Sequence, residues 1–194
     1  MRINNRNDET IRVDDGELED VDNFTYLGAT ISKERGTDND ISRRIALAQT
    51  AFKLLDKIWN SNIYKKKTKL KIFKSNIISV LLYSAETWKI TKADEQKLNI
   101  FQRRCLRKIM KIRWPMKITN EELYQITNTN ELSQEIHKRR WRWIGHLLRK
   151  ENGNYARHAI MWTPESRRIR GRPRTTWRRT TEKERNEFGW RSWG

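Results

Sequence analysis

Ile41-Ser-Arg-Arg-Ile-Ala-Leu-Ala-Gln-Thr-Ala-Phe-Lys-Leu-Leu-Asp-Lys-Ile-Trp59 is the stretch whose pattern decides the fold class. Ile41, Ile45, Ala48, Phe52, Leu55 and Trp59 recur at intervals of three and four, so a helix gathers all six on one face. Asp38 or Asp40 is placed to cap its start.

The same period continues toward the C-terminus. Leu70, Phe73, Ile77, Val80, Leu81 and Trp88 predict a second helix over about 68–88. Thr91-Lys-Ala-Asp94 has the spacing of a capping box, in which a hydroxyl and a carboxylate exchange hydrogen bonds with backbone N–H groups. It opens a third helix through Leu98, Phe101, Cys105, Leu106 and Ile109, which Trp114-Pro115 should end. Thr119-Asn-Glu-Glu122 starts a short helix with Leu123 and Ile126. Asn130-Glu-Leu132 starts a longer one through Ile136, Trp143, Ile144, Leu147 and Leu148. Residues 151–174 read as irregular, punctuated by Gly153, Pro164, Gly171 and Pro173, before a last helix around 175–188.

Toward the N-terminus the pattern changes. Thr10-Ile-Arg-Val-Asp14 alternates, Asp15-Gly16 signals a turn, and Phe24-Thr-Tyr-Leu-Gly-Ala-Thr-Ile31 mixes aromatic and β-branched residues. One β-hairpin is the simple reading, with Gly36 marking the break. The fold class is therefore mainly α: a short N-terminal β-hairpin, then a helical bundle and a basic C-terminal tail. The expected divisions are an acidic hairpin (1–36), a first helical domain (37–113), a second helical region (114–163) and an Arg-rich tail with a possible terminal helix (164–194).

Charge narrows the partners. The chain has 194 residues, 42 Lys and Arg against 24 Asp and Glu, and a formal net charge of +18. Residues 1–40 carry 5 basic and 11 acidic side chains, so the excess lies entirely in the remainder. Such a field draws polyanions, nucleic acid first and anionic membrane surfaces second. The longest apolar stretch, Ile77 to Leu82, is interrupted by Ser79 and is far too short to span a bilayer. Met1 to Glu9 is polar and unlike a signal peptide. A single cysteine, Cys105, argues for a reducing compartment, hence nucleus or cytoplasm.

Catalytic chemistry finds little support. Asp14-Asp15 after Val13 superficially matches a polymerase metal motif. Two-metal phosphoryl transfer needs further carboxylates on a folded palm, and only 13 residues precede this pair. A solvated turn before Gly16 is the plainer reading. Cys105, His137, His146 and His158 match no zinc spacing, so no metal is expected. His146 reads as a packed or capping histidine, and Cys105 as a small core hydrophobe. No phosphate-binding glycine loop or hydrolytic nucleophile motif is present, and no cofactor is implied.

Binding chemistry is better represented. Lys65, Lys66, Lys67, Lys69 and Lys71 cluster at a helix start, and Arg103, Arg104, Arg107 and Lys108 (with Lys111) form ridges beside an apolar stripe. Arg139, Arg140, Trp141 and Arg142 interleave cations with an indole. Phosphate asks for cationic donors and unstacked bases for aromatic faces. The bland alternative is a solvated helix face with a tryptophan in the core, and the spacing of Trp143 favours the core. Arg170-Gly-Arg-Pro-Arg174 resembles the centre of an AT-hook, in which arginines enter a narrow minor groove. With Arg178 and Arg179 it belongs to a run of seven arginines without an acid. A plain electrostatic linker is the competing reading.

Taken in order, several stretches resemble the C-terminal part of non-LTR (LINE-like) retrotransposon reverse transcriptases. They are Phe24-Thr-Tyr-Leu-Gly-Ala-Thr-Ile31, Ile41-Ser-Arg-Arg-Ile45, Leu81-Leu-Tyr-Ser-Ala-Glu-Thr-Trp88, Phe101-Gln-Arg-Arg-Cys-Leu-Arg107, Arg139-Arg-Trp-Arg-Trp-Ile-Gly-His-Leu-Leu-Arg149 and Gly171-Arg-Pro-Arg-Thr-Thr-Trp177. The resemblance implies that residues 24–31 are the last palm-side hairpin. It makes residues 38–112 thumb helices that grip template–primer duplex, with the later segments helping to hold template RNA or target DNA. The fingers, the palm aspartates and an endonuclease domain have no counterpart here, so polymerase activity is not carried over. The family usually has Gly where this chain has Ser84, a difference that suggests a tighter helix contact there. The resulting expectation is a non-catalytic fragment that binds RNA, DNA or a hybrid. The alternative is an AT-hook-like DNA-binding regulator.

Overall fold

A computed structural model describes residues 11–14, 16–33, 37–162 and 176–189. The N-terminal strands form two separate two-stranded ladders rather than one hairpin. β1 (Arg12–Val13) pairs with β2 (Gly16–Glu17), and β3 (Asn23–Tyr26) pairs with β4 (Ala29–Ser32), both antiparallel. Tyr26 faces Ala29 across a two-residue Leu27-Gly28 turn in which both residues have positive φ, 48° and 80°. Such turns follow the natural strand twist and close a ladder locally, so each short strand finds its partner next to it.

α1 (Asp38–Leu54) is the helix expected from Ile41 onward, but it ends before Trp59. Leu55 breaks the run and α2 (Asp56–Asn60) restarts it. Trp59 is fully buried, stacks on Phe52 at 4.9 Å between centroids, and donates from Nε1 to the Phe52 carbonyl at 2.7 Å. Neither aspartate caps α1. Thr37 holds the N-cap position and Asp38 lies in the first turn. Asp40 turns inward, accepting from the Thr30 N–H at 3.0 Å and from Trp88 Nε1 at 2.8 Å.

The predicted second helix is shorter and less regular. α3 (Lys66–Ile72) widens into a π-helical stretch (Phe73–Ile78), then tightens into α4 (Ser79–Leu81). Ser84 adopts a left-handed conformation, φ 59°, and reverses the chain. A 3₁₀ turn (Ala85–Thr87) then delivers Trp88 in extended conformation. The helix thus stops well short of Trp88. Ser84 thus lies in a left-handed turn, a conformation in which glycine is least strained, and not in a helix contact.

α5 (Lys92–Met110) begins with the expected box: Thr91 accepts from the Asp94 N–H, and Asp94 accepts from the Thr91 N–H. It ends because Lys111 is left-handed, φ 58°, four residues ahead of Pro115. α6 (Asn120–Thr127) carries the second capping box, Thr119 with Glu122, and α7 (Leu132–Leu148) follows. Within the stretch expected to be irregular lies α8 (Tyr155–Met161), started by Asn154, whose side chain accepts from the Ala156 N–H. It buries no residue, so no apolar stripe announced it. α9 (Trp177–Glu187) is capped by Thr176.

The bundle of α1, the α3–α4 segment and α5 holds the core. Ile41, Ala48, Ile77, Leu81, Leu98 and Leu106 are fully buried, and each large aliphatic side chain removed from water contributes about 1.5–3 kcal/mol. α6 and α7 extend it through Leu123, Leu132 and Ile136. Cys105 lies in this core, and burial pushes its thiol up to about 12. Among the described residues no helix is long and apolar enough to cross a membrane.

Candidate nucleic-acid interface

Two lysine runs far apart in sequence meet at one end of the bundle. The corner formed by α2 and the two residues after it, 56–62, is the meeting point. Lys69 reaches into it from α3 and donates to the carbonyls of Trp59 (2.8 Å) and Ser61 (2.5 Å). From α5, Lys108 pairs with Asp56, and from the cap just past its end Lys111 donates to the Asn62 side chain (2.5 Å). Lys108 holds the Asp56 carboxyl below its usual range. Lys65, Lys66 and Lys67 emerge directly from this corner, and Lys71 lies one turn further on, all exposed. Arg104 is exposed on α5, one turn before Lys108.

Not every predicted cation is available. Lys69 is only 3% exposed, and burial together with the nearby Lys111 charge lowers its pKa. It is a pin that closes the corner, not a phosphate contact. Arg107 is half-buried and donates to Asn120 Oδ1 at 2.9 Å. Arg103 is half-buried beside Tyr124.

Arg140 departs furthest from expectation. It is 0% exposed and pairs with Glu184 of α9. Its Nη2 donates to the Trp88 carbonyl at 2.7 Å and its Nε to the Glu86 carbonyl at 3.4 Å. Burial pulls its pKa down and Glu184 opposes that. A lowered arginine is still charged at neutral pH. Trp141 donates to Glu184 Oε2 at 3.2 Å, and Trp177 to the Glu86 carbonyl at 2.8 Å. Arg139 is half-buried, donating to Glu135 and to the Leu82 carbonyl. Arg142 is exposed.

The 82–88 turn is therefore a hub. Through Trp88 and Asp40 it holds β4 and α1, and through Arg140, Trp177 and Glu184 it holds α7 and α9. A second tie runs beside it: Arg43 and Arg44 donate to the Gly28 carbonyl, and the Arg44 guanidinium sits 4.6 Å over the Tyr83 ring. Arginine pairs that read alike as cationic motifs thus divide between structure and surface, because burial depends on tertiary partners and not on residue type. Sequence reasoning missed this hub; the close Arg-Arg-Trp and Glu-Thr-Trp spacing shows no pairing across 50 residues.

Other expectations resolve as follows. Trp143 is half-buried at the α7–α9 contact, edge-to-face with Trp177 at 6.0 Å, and so lies at the rim rather than in the core. His146 is exposed and does not pack or cap. His137 lies 3.4 Å from Glu184 and 3.7 Å from Glu95. Arg178 donates to the Met161 carbonyl at 3.1 Å and, like Arg179, is half-buried on α9. Asp14 is exposed in a left-handed turn. Asp15, Arg170, Gly171, Arg172, Pro173 and Arg174 lie outside the described residues. Among the described residues no group of three or more His, Cys, Asp or Glu is placed to hold a metal ion.

Comparison with known proteins gives limited similarity. A family model described as a domain of unknown function (DUF6451) matches residues 51–83, the span from α1 through the lysine corner to the hub turn. A Caenorhabditis elegans protein described as uncharacterized and transposon-derived is 26% identical over 173 residues, covering 87% of this chain and 62% of that protein. The chain thus spans less than two thirds of that relative's length. No solved structure matches.

Proposed function

We propose that the chain binds nucleic acid without catalysing a reaction on it, and that the lysine-rich end of the bundle makes the phosphate contacts. The observation that carries this reading is the convergence of Lys65, Lys66 and Lys67 with Lys108 and Lys111 around the 56–62 corner. A pinned corner holds several cationic donors in fixed relation, which a phosphate backbone needs and a merely solvated helix face does not. The similarity to a transposon-derived protein supports an origin in a mobile element. On that reading residues 38–112 act as a thumb-like grip on template–primer or target DNA, in the manner of the reverse transcriptases that the motif series resembles.

The test compares two triple charge reversals of equal size. Lys65→Glu/Lys66→Glu/Lys67→Glu alters the corner, and Lys92→Glu/Lys97→Glu/Lys183→Glu alters exposed positions on α5 and α9. Binding of RNA, DNA and hybrid duplexes is read by fluorescence anisotropy. The corner variant should lose roughly tenfold or more in affinity, and the control much less. Equal losses would reduce the interface to net charge alone.

A second reading rests on Arg170-Gly-Arg-Pro-Arg174. If that segment governs binding, the protein prefers A·T-rich DNA and loses the preference on Arg172→Ala.

A further inference from the structure

Beside the lysine corner runs a groove of about 650 Å³ between α3, the π-helical stretch, α5 and the α6–α7 connection. Its two sides differ in kind. Lys66, Lys67, Lys71 and Lys74 line one side, all exposed. Lys67, Lys71 and Lys74 fall at intervals of four and three, and form one ridge about 10 Å long. Among the described lining residues one acid, Glu135, stands against them, and it already accepts from Arg139 at 3.1 Å. Leu70, Phe73, Ile78, Met110 and Ile126 supply its apolar bed, and the polar residues 127–130 close its far side. Gln102 also lines it. This side chain is 3% exposed; its Nε2 donates to the Asn130 carbonyl at 2.8 Å, and its Oε1 has no hydrogen-bond partner.

We propose that this groove takes an unpaired strand of nucleic acid, with phosphates along the Lys67–Lys71–Lys74 ridge and a base against the apolar interior. The proposal rests on the phosphate-binding reading above and names the form of nucleic acid that the site selects. Base-paired duplex presents phosphates but keeps its bases stacked inside. A groove that couples a cationic ridge to an apolar bed rewards a strand whose bases are free to turn in. An acidic amphipathic peptide would match the ridge and the bed, but the ridge runs into the corner through Lys66 and Lys67, and that continuity with the proposed phosphate contacts favours the strand.

Two variants probe the groove and leave the corner lysines intact. Ile126 is 57% exposed, so Ile126→Asp places a carboxylate in the bed without emptying the core. Lys74→Glu reverses the far end of the ridge. Thermal melting confirms that each variant is folded. Anisotropy then compares a blunt duplex with the same duplex carrying a short single-stranded overhang. The wild type should bind the overhang substrate roughly tenfold more tightly. Each variant should lose that preference, and its loss on blunt duplex should be clearly smaller than its loss on the overhang substrate. A wild type without the preference, or variants that keep it, would overturn the groove proposal and leave the phosphate reading intact. Failure of the wild type to bind either substrate at low salt would remove both. Tighter capture of an acidic amphipathic peptide than of the overhang would also overturn it.

Discussion

Ser84 sits at φ 59°, where a Cβ is costly and glycine is not. Replacing it with Gly should stabilise the protein by about 0.5–1 kcal/mol, read as a higher urea midpoint with an unchanged slope. An unchanged or lower midpoint would mean that the hub turn bears no strain there. Cys105 makes a second residue-scale case. Its thiol titrates near 12 in the folded protein against 9.0 in an open environment, because burial disfavours the thiolate. A raised folded value means that this contribution is intact below pH 9. It is lost as pH climbs from 9 toward 12, by roughly 1.4 kcal/mol per unit. Wild type should therefore lose more stability between pH 8.5 and 10.5 than Cys105→Ala does, and equal losses would place the thiol in contact with water. At this scale the sequence was legible for apolar residues: the stripe positions Ile41, Ala48, Phe52, Ile77, Leu98 and Ile136 are buried as their spacing requires. It was not legible for cations. Lys69 and Arg140 look like their exposed neighbours, and what buries them is carbonyls and a carboxylate from other elements.

Elements declare themselves when their ends are set by local chemistry. The Thr91–Asp94 and Thr119–Glu122 boxes satisfy their donors within four residues, so both helix starts could be read directly. The end set by left-handed Lys111, the left-handed turn at Ser84 and the widening at Phe73–Ile78 have no such local signature, and α8 offers only its Asn154 cap with no apolar stripe behind it. Docking of α9 shows the same contrast: its start was legible, and its anchor was not. Glu184 holds α9 against α7 through Arg140, Trp141 and His137. Glu184→Ala leaves the Arg140 guanidinium buried and unpaired, which should cost about 3 kcal/mol or more, while Glu184→Gln should cost less because it keeps an acceptor. Differential scanning calorimetry checks the order. A variant with Ala in place of Glu184 that melts like wild type would show that α9 is not held there.

On the scale of the whole molecule, charge is segregated: an acidic leading segment precedes a body that carries more than the full excess of +18. Among the described residues the fold turns part of that excess inward, as with Lys69 and Arg140, and presents another part at the corner and along the groove. A field of this size speeds encounter with polyanions from any direction. On the proposed reading, donors at one end then decide orientation. The segregation of charge was legible in the sequence, but the corner that gathers Lys65–Lys67, Lys108 and Lys111 follows only from the break at Leu55 and the return of α5. The most direct test is the affinity for a labelled RNA–DNA hybrid measured from 50 to 200 mM salt. Six or more phosphate contacts predict a fall of about 10³-fold or greater, with the corner triple variant showing a visibly shallower slope. An affinity that hardly changes with salt, or an identical slope for the variant, would contradict a phosphate grip at this end of the bundle.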